Sequence, residues 1–345
     1  MSEFNVQVQE ANDNVLFVNV ISDCEPNSLW NLVQDRKQAV TCSIDCRLIG
    51  PSKQDFIVKG QVGNMYYVIG FDGHGGNNCI HFLKKILTQE NYDSLAQEES
   101  TVRALFEKVE QRRIDKKLCM IDSGATCYVM KMFLDEETRI GKVVIEHSGD
   151  SEIRVYKNGE KILVTECHDG FNEKEMERLR NEKLLNPFEG KIACKSIKVV
   201  NRDFIEASDA FYIKYANGAK FAMTQSLGHN GGTGCAPQFW SCDFNMDTDA
   251  MRVIGFSDGI SDIFGPHNDI IIGLDVDASY ICSTAEFLWK KEWKFYTPDI
   301  DPLTKKAKLD ENGQTLMRVA KQVFGEKGYD DLSCGVIQSF PLKKI

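Results

Sequence analysis

The run Met65-Tyr-Tyr-Val-Ile-Gly-Phe71, passing directly into Asp72-Gly73-His74-Gly75-Gly76, constrains this chain more than any other segment. Apolar, β-forming residues in an unbroken row read as a buried strand, and the glycines stop it at a turn. A strand ending on Asp-Gly-His presents a carboxylate, an unshielded backbone carbonyl and an imidazole at one sheet edge. A hard-metal hydrolytic site uses those groups as oxygen ligand, close main-chain approach and proton donor. Two further acidic turns flank apolar runs: Ser257-Asp258-Gly259-Ile260-Ser261-Asp262 after Val253–Phe256, and Tyr329-Asp330-Asp331-Leu332-Ser333 before Cys334–Ile337. A single Asp-Gly is ordinarily a solvated turn. Three acidic turns at strand ends read as a site.

A chain of 345 residues has room for one large α/β domain or two ordinary ones. A formal charge of −10 argues against a nucleic-acid partner. The 12 cysteines are scattered without a Cys-x-x-Cys pair, and no second ligand pair accompanies Cys42 and Cys46. They read as reduced thiols in a cytoplasmic setting, with the nucleus also open, rather than as a disulfide framework or a zinc site. The opening Met-Ser-Glu-Phe-Asn-Val lacks the features of a secretory signal. No apolar run reaches the roughly 20 residues a membrane span needs, so no membrane partner is expected. A monomer is the expectation.

Strands are predicted at 39–46, 55–59 and 65–71, then helices at 77–90 and 101–118. The period then changes to two, predicting strands at 125–133, 142–147, 153–156 and 161–164, with a Lys157-Asn158-Gly159-Glu160 hairpin turn. A charged helix is predicted at 172–181, followed by an irregular subdomain over 183–218. Strands at 219–223 and 252–256, helices at 278–289 and 314–324 and a strand at 332–339 complete the chain. Val15–Ile21 reads as an extra strand within an N-terminal lead-in, 1–38, ahead of a domain over 39–345. This order suggests two sheets with paired helices outside, as a sandwich or an open α+β layer.

Carboxylates gathered on one rim repel one another, and a divalent cation relieves them. Oxygen-only ligation by Asp72, Asp258 and Asp330 favours Mg2+ or Mn2+ over zinc. A pair of such ions activates a water toward phosphorus, and His74 is placed to protonate the leaving alkoxide.

Taken together, these blocks resemble the metal-dependent serine/threonine protein phosphatases of the PPM class, also called type 2C. The likeness runs from about Gln54 to Ile337. It rests on Lys53-Gln54-Asp55, Val68–Gly76, Ser123-Gly124-Ala125-Thr126-Cys127, His147-Ser148-Gly149-Asp150-Ser151, Phe221–Gly228 and the two later acidic turns. The resemblance implies an α+β fold, a central antiparallel β-sandwich flanked by pairs of α-helices, with a flap subdomain over about 168–218. It implies two Mg2+ or Mn2+ ions, with Asp72 bridging them and the Gly73 carbonyl binding one. Asp258 and Asp330 would be direct ligands of the other, and Asp55 would act through water. Asp150 and Asp262 would serve a third, weaker ion, and His74 would be the general acid. The implied substrates are phosphoproteins carrying phosphoserine or phosphothreonine.

The chain departs from this pattern in three places. The family's basic phosphate anchor falls on Gly50, leaving Arg47 and Lys53 as substitutes out of register. Glu152 stands where an arginine is usual, predicting the loss of an ion pair. His229 stands where aspartate is common and reads as a loop change, not a ligand. Retention of Asp72, Asp258, Asp330 and His74 favours an enzyme over a scaffold that binds signalling partners without turnover. A phosphatase of small phosphoesters would share the same core.

Overall fold

The computed structural model describes residues 7–11, 15–19, 41–50, 52–188, 190–201, 203–264, 276–325 and 329–341. The chain divides into two compact units, Met1–Val40 and Thr41–Ile345. In the first unit, β1 (Gln7–Ala11) and β2 (Val15–Asn19) form an antiparallel hairpin with Val8 opposite Val18. The expected strand at Val15 is there; its short partner carries too few apolar residues to announce itself.

The second unit begins with β3 (Thr41–Ile49), β4 (Phe56–Val62) and β5 (Met65–Gly75). A short helix, α1 (Asn78–His81), runs into a π turn at Phe82–Ile86 and stops at Leu87, whose ψ is 137°. Helix α2 (Gln89–Ala96) starts afresh from a Thr88–Asn91 capping box. The single helix predicted over 77–90 is therefore two, because Thr88 nucleates a new N-terminus and Ile86 lies exposed. Helix α3 (Thr101–Lys116) follows, capped by Ser100 and by the buried Glu146 carboxylate, which accepts from the Thr101 and Val102 amides.

Strands β6 (Ser123–Asp135), β7 (Ile140–Ser148), β8 (Glu152–Lys157) and β9 (Glu160–Val164) are the predicted four, and α4 (Glu173–Asn181) is the charged helix. The stretch predicted to be irregular is a hairpin of β10 (Lys191–Val199) and β11 (Ile205–Lys214), extended by β12 (Lys220–Phe221). Both faces of its strands are partly open to solvent, so no clean alternation marks it in sequence. Next come β13 (Leu227–Gly228), an unpredicted β14 (Gln238–Asn245), β15 (Met251–Phe256), α5 (Asp258–Phe264) and α6 (Ala278–Lys290). The helix predicted over 314–324 is a strand, β17 (Met317–Val323), paired with β16 (Glu292–Pro298). Leu316, Val319, Ala320, Val323 and Phe324 mimic a helical spacing, but cross-strand pairing of Tyr296 with Val319 prevails. Strand β18 (Leu332–Phe340) closes the fold.

Two antiparallel sheets form a sandwich, one in the order β14-β7-β6-β5-β4 with β13 on β6, the other β3-β18-β15-β8-β9. Helices α2 and α3 cover the first through Leu95, Val102 and Leu105. Helices α5 and α6 cover the second through Ile260, Phe264 and Ile281. The sheets meet closely because Gly255 and Gly335, neighbours in register, leave room for Tyr128, Met130 and Val68. A Cβ on Gly335 would lie 2.6 Å from the Val68 side chain. The chain crosses between sheets at Gly149-Asp150-Ser151. Among the described residues no helix is long and apolar enough to cross a membrane.

Candidate active site

The strand directions bring five turns to one end of the sandwich: the start of β4, the end of β5, the β7–β8 crossover, the β15–α5 junction and the start of β18. Asp72 lies opposite Thr126 in the β5–β6 ladder, Gly73 opposite Ala125 and His74 opposite Gly124. A side chain at Gly73 would meet the Gln54 carbonyl at 2.6 Å, so glycine there lets the Asp55 turn close against β5.

Asp72, Asp150 and Asp258 form the inner group, each offering an oxygen within 4.8 Å of the others. Burial, then the charges of Asp258 and Asp55, raises the Asp72 carboxyl well above its ordinary range. Burial followed by Asp258 does the same to Asp150. Asp55 is also raised by burial, against the opposing effect of the Ser257 hydroxyl. Asp262 and Asp330 stand on the solvent-open rim. Desolvation by the surrounding walls, then Asp258, pushes Asp330 up to about 6 and Asp262 up to about 8.

Three buried carboxylate oxygens here, Asp55 Oδ2, Asp150 Oδ1 and Asp258 Oδ1, have no hydrogen-bond partner. Unpaired, mutually repelling and all oxygen, this donor set fits a hard divalent cation. A cleft of about 390 Å3 opens beside it, lined by Asp150, Asp258 and Asp262, by Phe171 ahead of α4, and by Ser196 and Phe211 of the β10–β11 hairpin.

The profile of protein phosphatase 2C matches residues 35–195. Over that segment the chain is similar to the protein phosphatase 2C family. No curated protein matches it in sequence. Among solved structures it is similar to a C. elegans sex determining protein, at 14% identity over 91% of this chain and 71% of that one, TM-score 0.49. It is also similar to the S. agalactiae serine/threonine phosphatase, at 15% identity over 86% and 99% of the two chains, TM-score 0.46. A third is the catalytic domain of the serine/threonine protein phosphatase PstP, solved in complex with 2 manganese ions, at 13% identity over 87% and 99%, TM-score 0.41.

Within this site the candidates distribute unevenly. Asp150, expected only at a weaker third position, stands in the inner group with Asp72 and Asp258. Asp330, expected as a direct ligand, stands on the rim with Asp262. Arg47 is exposed on β3 and Lys53 is exposed in a left-handed turn with φ 63°; neither lines the cleft. Glu152 makes an ion pair of its own, with Arg154 two residues on.

Sequence reasoning missed two residues. Asp331, read only as part of an acidic turn, is buried and gathers the loop before β4. Its carboxylate accepts from the Ser52 amide and hydroxyl, each at 2.8 Å, and from the Gln54 and Asp55 amides at 2.6 and 3.0 Å. A Cβ on Gly50 would meet that carboxylate at 2.8 Å, which explains why the anchor position carries no side chain. A clue lay in the sequence: two successive aspartates ahead of a strand face opposite ways, so one must point inward.

The second missed residue is His229. Its Nε2 lies 2.6 Å from His74 Nε2, and its Nδ1 lies 2.8 Å from the Ile121 carbonyl. Nothing in its flanks signals this contact, which spans 155 positions. Burial, then the neighbouring His229, lowers the His74 imidazole to about 3. Behind the β7–β8 crossover, His147 Nε2 donates to the Gly149 carbonyl and His168 Nδ1 accepts from the Gly149 amide, which braces the Asp150 turn.

Proposed function

We propose that this chain hydrolyses phosphoserine and phosphothreonine in proteins by attack of water on phosphorus, with His74 as general acid. The observation that carries the reading is the inner group of Asp72, Asp150 and Asp258, with its unpartnered oxygens, two residues along β5 from His74. Asp72, Asp150 and Asp258 would hold a divalent cation, with Asp55, Asp262, Asp330 and the Gly73 carbonyl available to a second or a weaker third. When bound, Mg2+ or Mn2+ supplies charge neutralisation at the phosphoryl group and acidifies a water molecule.

The chain's own groups do the rest. The Asp331 hydrogen bonds fix Asp55 at the start of β4, and the Gly149 turn fixes Asp150. His74 is neutral in the free protein, and the negative charge of a bound phosphoester favours its imidazolium. That imidazolium donates a proton to the departing serine or threonine oxygen, a poor leaving group that gains about 10²–10⁴-fold from general acid catalysis. Phe171, Ser196 and Phe211 border the cleft, so they would meet the residues flanking the phosphorylated one.

The scaffold reading is favoured by one observation: Asp331 fills the place beside Gly50 where a cation would grip phosphate. Turnover separates the two. Phosphate release from a phosphothreonine peptide is expected with Mn2+ or Mg2+ and lost with EDTA, in Asp72→Asn and in Asp258→Asn. A folded wild-type protein that releases no phosphate with either metal rejects the enzyme reading. A monomer in the cytoplasm acting on phosphoproteins completes the proposal, supported by free thiols at every described cysteine.

A further inference from the structure

Beside the carboxylates lies a second, self-contained arrangement. Tyr215, Phe221 and His229 stack in a column, with successive ring centroids 4.5 and 3.7 Å apart and interplanar angles of 17°, and His74 lies edge to edge beside His229, its centroid 4.8 Å away and its plane tilted by 20°. Tyr215 and Phe221 belong to the flap's own core, so the column and His74 join that core to β5. His229 is delivered by a demanding backbone: Gly228, His229 and Asn230 all have positive φ, at 81°, 50° and 52°. Non-glycine residues in that region persist only when their surroundings hold them there. Asn217 Nδ2 donates to the His229 carbonyl at 2.7 Å, and Asn230 Oδ1 accepts from the Met120 amide at 2.8 Å. Gly124 completes the fit, since a side chain there would collide with both imidazoles.

The hydrogen bonding has only one consistent sense. A backbone carbonyl accepts, so His229 Nδ1 carries the hydrogen that bonds Ile121 O. The neutral His229 ring then has a lone pair at Nε2, and the hydrogen in the 2.6 Å contact belongs to His74 Nε2. Burial disfavours the charged form of His229, in keeping with that neutral acceptor.

We infer that His229 is a positioning residue for His74, holding its Nε2–H and thereby fixing both the orientation of the ring and Nδ1 as its reactive nitrogen. Nδ1 is buried and makes no hydrogen bond. The inference rests on the general-acid reading. In the step, the phosphorus–oxygen bond breaks with its electron pair passing to the leaving oxygen. The Nδ1 proton of the imidazolium goes to that oxygen, and the neutral ring that remains is the tautomer His229 already holds.

The test compares His229→Phe, which keeps the stack but has no acceptor, with His229→Gln, which offers an amide oxygen. Each is assayed with Mn2+ on a phosphothreonine peptide and on p-nitrophenyl phosphate, whose leaving group needs little help. The expected result for His229→Phe is a loss of about tenfold in kcat on the peptide at unchanged KM, at least about fivefold more than on p-nitrophenyl phosphate. His229→Gln recovers most of it, and adding His229→Phe to His74→Ala costs nothing further. In metal-free protein, imidazole ¹⁵N NMR should find His74 as the Nε2–H tautomer, and as a mixture in His229→Phe. Equal losses on both substrates, additivity with His74→Ala, or an unchanged His74 tautomer overturns the inference. Failure of His74→Ala itself to slow the peptide selectively rejects the general-acid reading instead, and the NMR comparison then decides on the tautomer alone.

Discussion

The two halves of the site solve opposite problems. At the Asp72–Asp150–Asp258 corner, buried oxygens are left unpaired, and burial, then the Asp258 charge, pushes Asp72 and Asp150 toward protonation. At the His74–His229 corner, the contact nitrogens are matched and His229 is stacked on Phe221. Groups left unsatisfied at a cost mark where something must bind. Groups satisfied within the fold mark where a reactive side chain is held. Asp331 belongs with the second kind: its carboxylate is saturated with donors, and its work is to hold Asp55.

The largest expected effect breaks the unsatisfied corner. Asp258→Asn should lower Mn2+-dependent kcat by roughly a thousandfold or more, since ligand loss removes several kcal/mol of charge stabilisation. It should also relieve repulsion, so the metal-free variant is expected to melt no lower than metal-free wild type. A variant melting well below it would mean these carboxylates are structural.

Asp331→Ala should do the reverse, destabilising by about 3 kcal/mol because buried donors lose a charged acceptor. Urea unfolding measures this, and a change under about 0.5 kcal/mol, the range of ordinary surface substitutions, would deny Asp331 its holding role.

The pH response sharpens the contrast. Asp330 and Asp262 are raised to about 6 and about 8, so the stability their protonated forms lend the metal-free protein is present below their unfolded values. It is lost as pH rises through 6 and then 8. Cation binding reverses this loss, so the gain in Tm on adding Mn2+ should be larger at pH 8 than at pH 5.5, with protons released on binding at the lower pH. A gain independent of pH contradicts the assignment. The histidines have the opposite sign. Burial, then His168, lowers His147 to about 3, so its contribution is present above about 6.5 and declines as pH falls toward 3.

The smallest effect concerns the anchor. Arg47 is exposed and away from the cleft, so Arg47→Ala should leave KM for a phosphopeptide within about twofold, as rim charges outside a site contribute little. A tenfold rise in KM would restore Arg47 as the phosphate-gripping residue.

Much of the fold was legible because its sandwich strands alternate or run apolar: β5, β6, β7, β8, β15 and β18 all follow their sequence patterns. The β10–β11 and β16–β17 hairpins were hidden, since their strands face solvent and only cross-strand partners define them. The same division holds for the site. The aspartates could be read because acidic turns at strand ends are local signals. Asp331 and His229 could not be assigned roles, because each depends on a partner more than 100 positions distant, Ser52 in one case and His74 in the other.

The most direct test is phosphate release from a phosphothreonine peptide by wild type and Asp72→Asn, each with saturating Mn2+ and again with EDTA. Release by wild type with Mn2+ alone, and by neither protein otherwise, is the predicted result. Equal release by Asp72→Asn, or release that survives EDTA, would contradict a reaction built on the unpaired carboxylates.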